Sequence, residues 1–175
     1  LHSLPDIYDP ALIQSDADLA AVSLGLVEAR AGRLCLYGPP GTGKTAYGRW
    51  LAGQMGVPLL IKRASDLIAP WVGESERNVA RMFEECDPAG EVLFLDEADT
   101  LLAARDGAGH RADMAVTAEF LRQVEAFQGV FVGATNFGRS IDGALLRRFE
   151  FRLELQALTT VQRLDLFANV ALDWD

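Results

Sequence analysis

Leu34-Cys35-Leu36-Tyr37-Gly38-Pro39-Pro40-Gly41-Thr42-Gly43-Lys44-Thr45-Ala46 decides how the rest of this chain is read. A short apolar run enters a turn of glycine and proline, and the turn enters the amphipathic stretch Lys44–Met55. Gly38 to Thr45 carries the spacing GxxxxGK[ST]. Glycines there let the backbone wrap so that successive N–H groups aim at phosphate oxygens, and the positive end of the following helix dipole adds to the attraction. Lys44 then reaches the β and γ phosphates, and the Thr45 hydroxyl can ligate Mg²⁺. A glycine-rich turn with a chance Lys-Thr would lack the strand before it and the helix after it.

Outward from this loop the chain keeps one rhythm. Apolar runs at Leu34–Tyr37, Leu59–Lys62, Val92–Leu95, Val130–Gly133 and Phe149–Leu155 alternate with longer amphipathic stretches at Lys44–Met55, Glu74–Cys86, Met114–Phe127 and Asp142–Arg147. Near-continuous apolar strands separated by helices predict an α/β domain with a five-stranded parallel sheet covered on both faces. The last run alternates strictly, so one of its faces is expected to be wet, as near a sheet edge. Ahead of the first strand, residues 1–15 read as an extended lead-in and Asp16–Ala31 as a helix, with Asp16 as N-cap and Gly32 as its end. Residues 104–111 are small, polar and glycine-bearing, hence a loop.

The chain has 175 residues, 50 % of them hydrophobic and 23 % charged, an ordinary globular composition. That length suits one core and is thin for two. Sixteen Lys and Arg stand against 25 Asp and Glu, a net charge of −9, so no nucleic-acid partner is expected. Cys35 sits inside an apolar run and reads as a small buried hydrophobe; with Cys86 far away, no disulfide framework is implied and a reducing, cytoplasmic setting fits. No apolar stretch approaches the roughly 18 residues of a membrane span, and Leu1-His2-Ser3-Leu4-Pro5 lacks the features of a signal peptide. The missing initiator Met suggests a piece of something longer. His2 and His110 have no metal-ligand spacing, and Lys62-Arg63, Asp173, Trp174 and Asp175 read as solvated surface.

Val92-Leu93-Phe94-Leu95-Asp96-Glu97-Ala98-Asp99 complements the phosphate loop. A buried strand ending in an acid sets that acid at the carboxyl edge of the sheet, where the loop also lies. Asp96 can there hold the hydration shell of nucleotide-bound Mg²⁺, and Glu97 can polarise a water for in-line attack on the γ-phosphate. Asp99 reads as a helix-capping acid.

These motifs, with Gly133-Ala134-Thr135-Asn136 after an apolar strand and Ile141-Asp142-Gly143-Ala144-Leu145-Leu146-Arg147-Arg148-Phe149 further on, resemble the AAA+ ATPases. The similarity is to the AAA-proper group, which includes katanin-like and spastin-like modules and bacterial AAA ATPases. It implies a P-loop NTPase fold, a three-layer α-β-α sandwich, binding ATP with Mg²⁺ through Pro40, Gly41, Thr42, Gly43, Lys44, Thr45, Ala46 and Asp96, with Thr45 and Asp96 on the metal. It implies that Asn136 is the sensor that helps orient the attacking water. It also implies an arginine finger projected into a neighbouring subunit's site, a task that suits a fixed planar cation. The family pattern, roughly ALLRPGRFDR, here reads Ala144-Leu145-Leu146-Arg147-Arg148-Phe149-Glu150-Phe151-Arg152. Pro-Gly is missing and Phe151 stands at the second finger's place; Arg148 is favoured, with Arg147 and Arg152 as alternatives.

By the same resemblance, Pro70-Trp71-Val72-Gly73-Glu74-Ser75-Glu76 looks like a pore-loop segment, in which Trp71 and Val72 grip an extended polypeptide in the channel of a hexamer. The bland alternative packs Trp71 beneath the helix that starts at Glu74. Residues 1–158 would form the large nucleotide-binding subdomain and 159–175 the first helix of a lid. The expected function is ATP hydrolysis in a ring-forming motor that remodels or threads protein substrates. A nucleotide-gated switch or scaffold with slow turnover is the alternative, and a P-loop kinase a minor third.

Overall fold

The computed structural model describes residue 8 and residues 13–102, 110–136 and 146–172. Strands β1 (Gly32–Tyr37), β2 (Leu59–Arg63), β3 (Val92–Asp96), β4 (Val130–Thr135) and β5 (Phe151–Glu154) form one sheet in the order β2-β3-β4-β1-β5, and all its pairings are parallel. Helices α1 (Leu19–Ala29), α2 (Lys44–Met55), α3 (Glu74–Glu85), α4 (Asp99–Leu102), α5 (His110–Ala126) and α6 (Thr160–Leu172) connect or flank the strands, with one 3₁₀ turn at Ala64–Leu67. The five-stranded α/β sandwich read from the apolar rhythm is the fold observed.

Alternation along each strand divides the interior in two. Leu34, Leu36, Val92, Phe94, Val130, Val132 and Ala134 meet α1 and α2 through Leu19, Leu26, Tyr47, Leu51 and Met55. Cys35, Leu93, Leu95 and Phe131 face the other way, onto Val79, Met82 and Phe83 of α3 and Val116, Phe120 and Val124 of α5. On that side Phe131 has its ring centre 5.4 Å from Phe83, 5.9 Å from Phe120 and 6.1 Å from Phe149. Each face therefore has its own apolar core, and the central strands are dry on both sides.

Three expectations at the ends of elements are corrected. The N-cap of α1 is Asp18, whose Oδ1 accepts from the N–H groups of Ala20 and Ala21 at 3.0 Å each. Asp16 is drawn away into an edge contact: its Oδ1 accepts from Glu154 N–H at 2.7 Å, next to the antiparallel bridge of Ser15 with Leu155. Arg30, at φ 53°, ends α1, because Gly32 already belongs to β1. Phe149 is not in the last strand: its N–H closes a turn on the Leu146 carbonyl, and its ring enters the α3/α5 core. The edge position of β5 agrees with its alternation, Leu153 buried and Arg152 exposed.

Helix α5 begins at His110, inside the stretch read as a loop; residues 104–109 lie outside the described residues, as do His2, 141–145 and 173–175. Lys62, read as surface, pairs there with Glu85 at 2.6 Å.

Cys35 and Cys86 are free and buried, and burial pushes both thiols up to about 12. The folded chain keeps protons that the unfolded chain releases near pH 9, so stability falls as the pH climbs from 9 toward 12. Alkylation by iodoacetamide at neutral pH is expected to label neither thiol in the native protein and both in denaturant. Gly48 supplies a packing test: an added Cβ would lie 2.6 and 2.7 Å from carbons of the Phe94 ring. Gly48→Ala is expected to cost about 1–3 kcal/mol, read as a thermal midpoint lower by about 2–4 °C per kcal/mol. An unchanged midpoint would mean that α2 is not seated hard on β3.

Candidate active site

β1 ends at Tyr37, and the chain turns through Gly38–Gly43 into α2. Gly41 and Gly43 adopt φ of 78° and 93°, the left-handed region that side chains disfavour, so the wrap of the loop depends on glycine at both places. The Thr42 hydroxyl donates to the Pro39 carbonyl at 2.9 Å and braces the turn. Lys44 is only 7 % exposed; its ammonium donates to the carbonyls of Gly38 at 2.8 Å and Pro39 at 2.9 Å. Burial lowers its pKa below the usual lysine range, while the carboxylates of Asp96 and Asp99 pull it back up. The result is a cation held inside a ring of backbone at the amino end of a helix, a setting that attracts phosphate.

β3 delivers the acids to the same edge. Thr45 Oγ1 lies 3.5 Å from Asp96 Oδ2. Glu97 is exposed and sits at φ 55°, and its N–H donates to Asp96 Oδ1 at 2.9 Å. Half-buried Asn136 follows β4, which lies between β1 and β3, so it emerges beside both the loop and the acids. Asp99, read as a capping acid, starts α4 but spends its carboxylate across the sheet, where Oδ1 accepts from the Thr135 hydroxyl at 3.0 Å.

Two further groups stand apart from this cluster. Trp71 and Val72 are 75 % and 91 % exposed, so Trp71 does not pack beneath α3. The base of their loop is pinned: Ser75 Oγ accepts from Ala69 N–H at 2.8 Å, and Asn78 donates to the Leu67 carbonyl at 3.3 Å. Arg147 and Arg148 are exposed in the turn before β5. Arg148 pairs with Glu125 near the end of α5, whose carbonyl accepts from Arg33 at the start of β1. They occupy the edge where strands begin, whereas Asp96 ends β3 and Lys44 and Asn136 follow the ends of β1 and β4; a six-residue strand such as β1 is about 20 Å long. Arg152 lies within β5, level with Cys35.

A hydroxyl and one carboxylate make a hard-oxygen donor pair, and among the described residues no group of three His, Cys, Asp or Glu side chains is placed to hold a metal. Such a pair fits a cation that completes its shell with water and phosphate, as Mg²⁺ does. Sequence reasoning placed Gly38 in the loop but missed its close approach to the end of the last strand, where an added Cβ would fall 2.0 Å from the Leu155 carbonyl oxygen. Its signal was present as the first glycine of the GxxxxGK[ST] spacing. The Asp99–Thr135 bond, between residues far apart in sequence, had none.

Comparison with known proteins gives the family of this chain. The family model of the ATPases associated with various cellular activities (AAA) matches residues 34–157. Fidgetin-like protein 1 of Caenorhabditis briggsae is 35 % identical over 142 residues, covering 77 % of this chain and 24 % of the relative. Its Homo sapiens counterpart is 35 % identical over 145 residues, covering 78 % and 21 %. Protein SAV of Sulfolobus acidocaldarius is 32 % identical over 140 residues, covering 76 % and 18 %. The chain thus spans about a fifth to a quarter of the length of these relatives. A crystal structure of the FIGL-1 AAA domain in complex with ADP is 32 % identical with a TM-score of 0.61, covering 78 % of this chain and 47 % of that one. With the family model matched from within β1 to beyond β5, phosphate loop and acid pair included, the chain belongs to the AAA family of ATPases.

Proposed function

We propose that this ATPase module works in the cytoplasm within a homo-hexameric ring, as a motor that remodels or threads polypeptide. The observation that carries the reading is the separation of Arg148 from the phosphate loop of its own chain. An arginine at the edge where strands begin is out of reach of its own nucleotide, and exchanging its Glu125 partner would let it serve a neighbour's. Trp71 and Val72, presented on a pinned loop, suit a grip on extended polypeptide that requires no particular sequence.

In this reading Pro40 to Ala46 wrap the phosphates and Lys44 exchanges its carbonyl partners for phosphate oxygens. Thr45 and Asp96 would hold Mg²⁺, which when bound offsets the charge on β- and γ-phosphate oxygens. Glu97 polarises the attacking water and Asn136 orients it. Arg148 of the neighbouring copy, with Arg147 beside it, meets the charge that develops on the γ-phosphate. Residues 1–158 act as the nucleotide-binding subdomain. Residues 159–175 belong to a lid, of which α6 is the first helix: α6 starts at a reciprocal cap between Thr159 and Gln162, and its exposed Val161, Leu164 and Phe167 suit a covering partner.

Lys44→Ala is expected to weaken ATP binding about 10- to 100-fold, the loss of charge-assisted hydrogen bonds to phosphate; titration with a fluorescent ATP analogue reads it. Glu97→Gln should retain ATP and stop hydrolysis, and its mass distribution with Mg-ATP should move to six subunits. Arg148→Ala should cut turnover by about 10³-fold while binding persists. Trp71→Ala should abolish substrate processing at a normal ATPase rate. A species that stays monomeric with ATP would leave Arg148 and Trp71 without a site and favour the nucleotide-gated switch.

A further inference from the structure

Parallel pairing of β3 with β4 runs as far as Leu95 opposite Gly133. Beyond it the two segments remain joined by bonds of a different kind. The Ala98 N–H donates to the Ala134 carbonyl at 2.8 Å, and the Thr135 hydroxyl donates to Asp99 Oδ1 at 3.0 Å. Thr135 is 1 % exposed, so this hydroxyl is satisfied inside the protein rather than by bulk water. Glu97 immediately precedes the first bonded pair and Asn136 immediately follows the second.

The turn between them is strained. Glu97 at φ 55° occupies a region that costs about 1–3 kcal/mol and persists where the surroundings over-determine it. Upstream, Asp96 Oδ1 holds the Glu97 N–H. Downstream, the Thr100 N–H donates to the Glu97 carbonyl at 3.0 Å; α4 is a single turn, Asp99–Leu102, with little stiffness of its own, so its position relative to β4 is set by residues 98 and 99. Its far end is tied separately, the Thr117 hydroxyl donating to the Leu101 carbonyl at 2.8 Å.

We propose that Asp99 is a positioning residue for hydrolysis: by holding the Thr135 hydroxyl, its carboxylate fixes Glu97 and Asn136 relative to one another. The inference rests on the reading above, in which Glu97 and Asn136 handle the attacking water. Displacement of a reacting group by an ångström costs on the order of 10²-fold in rate, so one cross-strand bond can govern turnover without touching nucleotide.

The test compares Asp99→Ala, Thr135→Val and their combination in the complete protein. Each single variant is expected to lower kcat about 10- to 100-fold with ATP affinity within about threefold. The double variant should be no slower than the worse single variant, because both remove the same bond. Thr135→Ser restores the hydroxyl and should regain most of the rate. Asp99→Asn keeps an acceptor and drops the charge: a rate well above that of Asp99→Ala supports the clamp. A rate as low as Asp99→Ala overturns it in favour of a charge acting on Lys44. Unchanged kcat in Thr135→Val, losses that multiply in the double variant, or a fall in kcat matched by loss of folded protein on a melting curve would each overturn it.

Glu97→Gln and Asn136→Ala are run alongside. If either still hydrolyses ATP at the normal rate, the water-handling reading fails and the clamp falls with it. If both are inactive while the clamp variants turn over normally, the clamp alone fails.

Discussion

Val130 of β4 pairs level with Val92 of β3 on one side and with Gly32 of β1 on the other. This shared register brings three parallel strands to one height at their carboxyl ends. Parallel ladders need crossover connections, so the ends of β1 and β3 open there into a turn and then a helix, while β4 ends beside them at Asn136. The phosphate loop and the acid pair lie in those turns, with Asn136 next to them. Slipping one strand by a residue would reverse its faces, sending Phe94 toward α3 and α5 and Leu93 toward α1 and α2. The two apolar cores therefore hold the register, and the register holds the site.

What stands at that edge is polar and under strain, in contrast with the dry strands beneath it. Lys44 is buried on backbone carbonyls, Glu97 is in a left-handed conformation, and Asp96 accepts from its own neighbour's N–H. None of these arrangements is the cheapest for an isolated turn. Each is held because the strands it caps cannot move, and together they gather Lys44, Asp96 and Glu97 at one edge of the sheet. The sheet's opposite edge is built otherwise, with Arg33, Glu150, Arg148 and Glu125 satisfying one another across exposed surface.

The parts of this chain that were legible from its residues are those whose chemistry is local. A phosphate cradle needs glycine at set places and Lys-Thr at the head of a helix, so Gly38–Thr45 declares itself over eight residues. The acids after Val92–Leu95 do the same, because a dry strand predicts which edge they reach. Errors arose where two local signals competed and a distant partner chose between them. Asp16 and Asp18 are both plausible caps, and the tail of β5 claimed the first. Phe149 alternates correctly with Phe151, yet the cavity among Phe131 and its neighbours took its ring.

The residues by themselves determined the class of fold, the order of its strands and helices, and the identity of the nucleotide-binding loop, because periodicity and phosphate recognition are written in short spacings. Only the tertiary structure decided which strands are neighbours, that Arg147 and Arg148 stand at the edge remote from Lys44, and that Trp71 and Val72 project instead of packing. It alone joined Asp99 to Thr135. The reason is physical: sheet order and cross-strand side-chain bonds depend on which apolar faces are covered together, and no stretch of chain carries that information within itself.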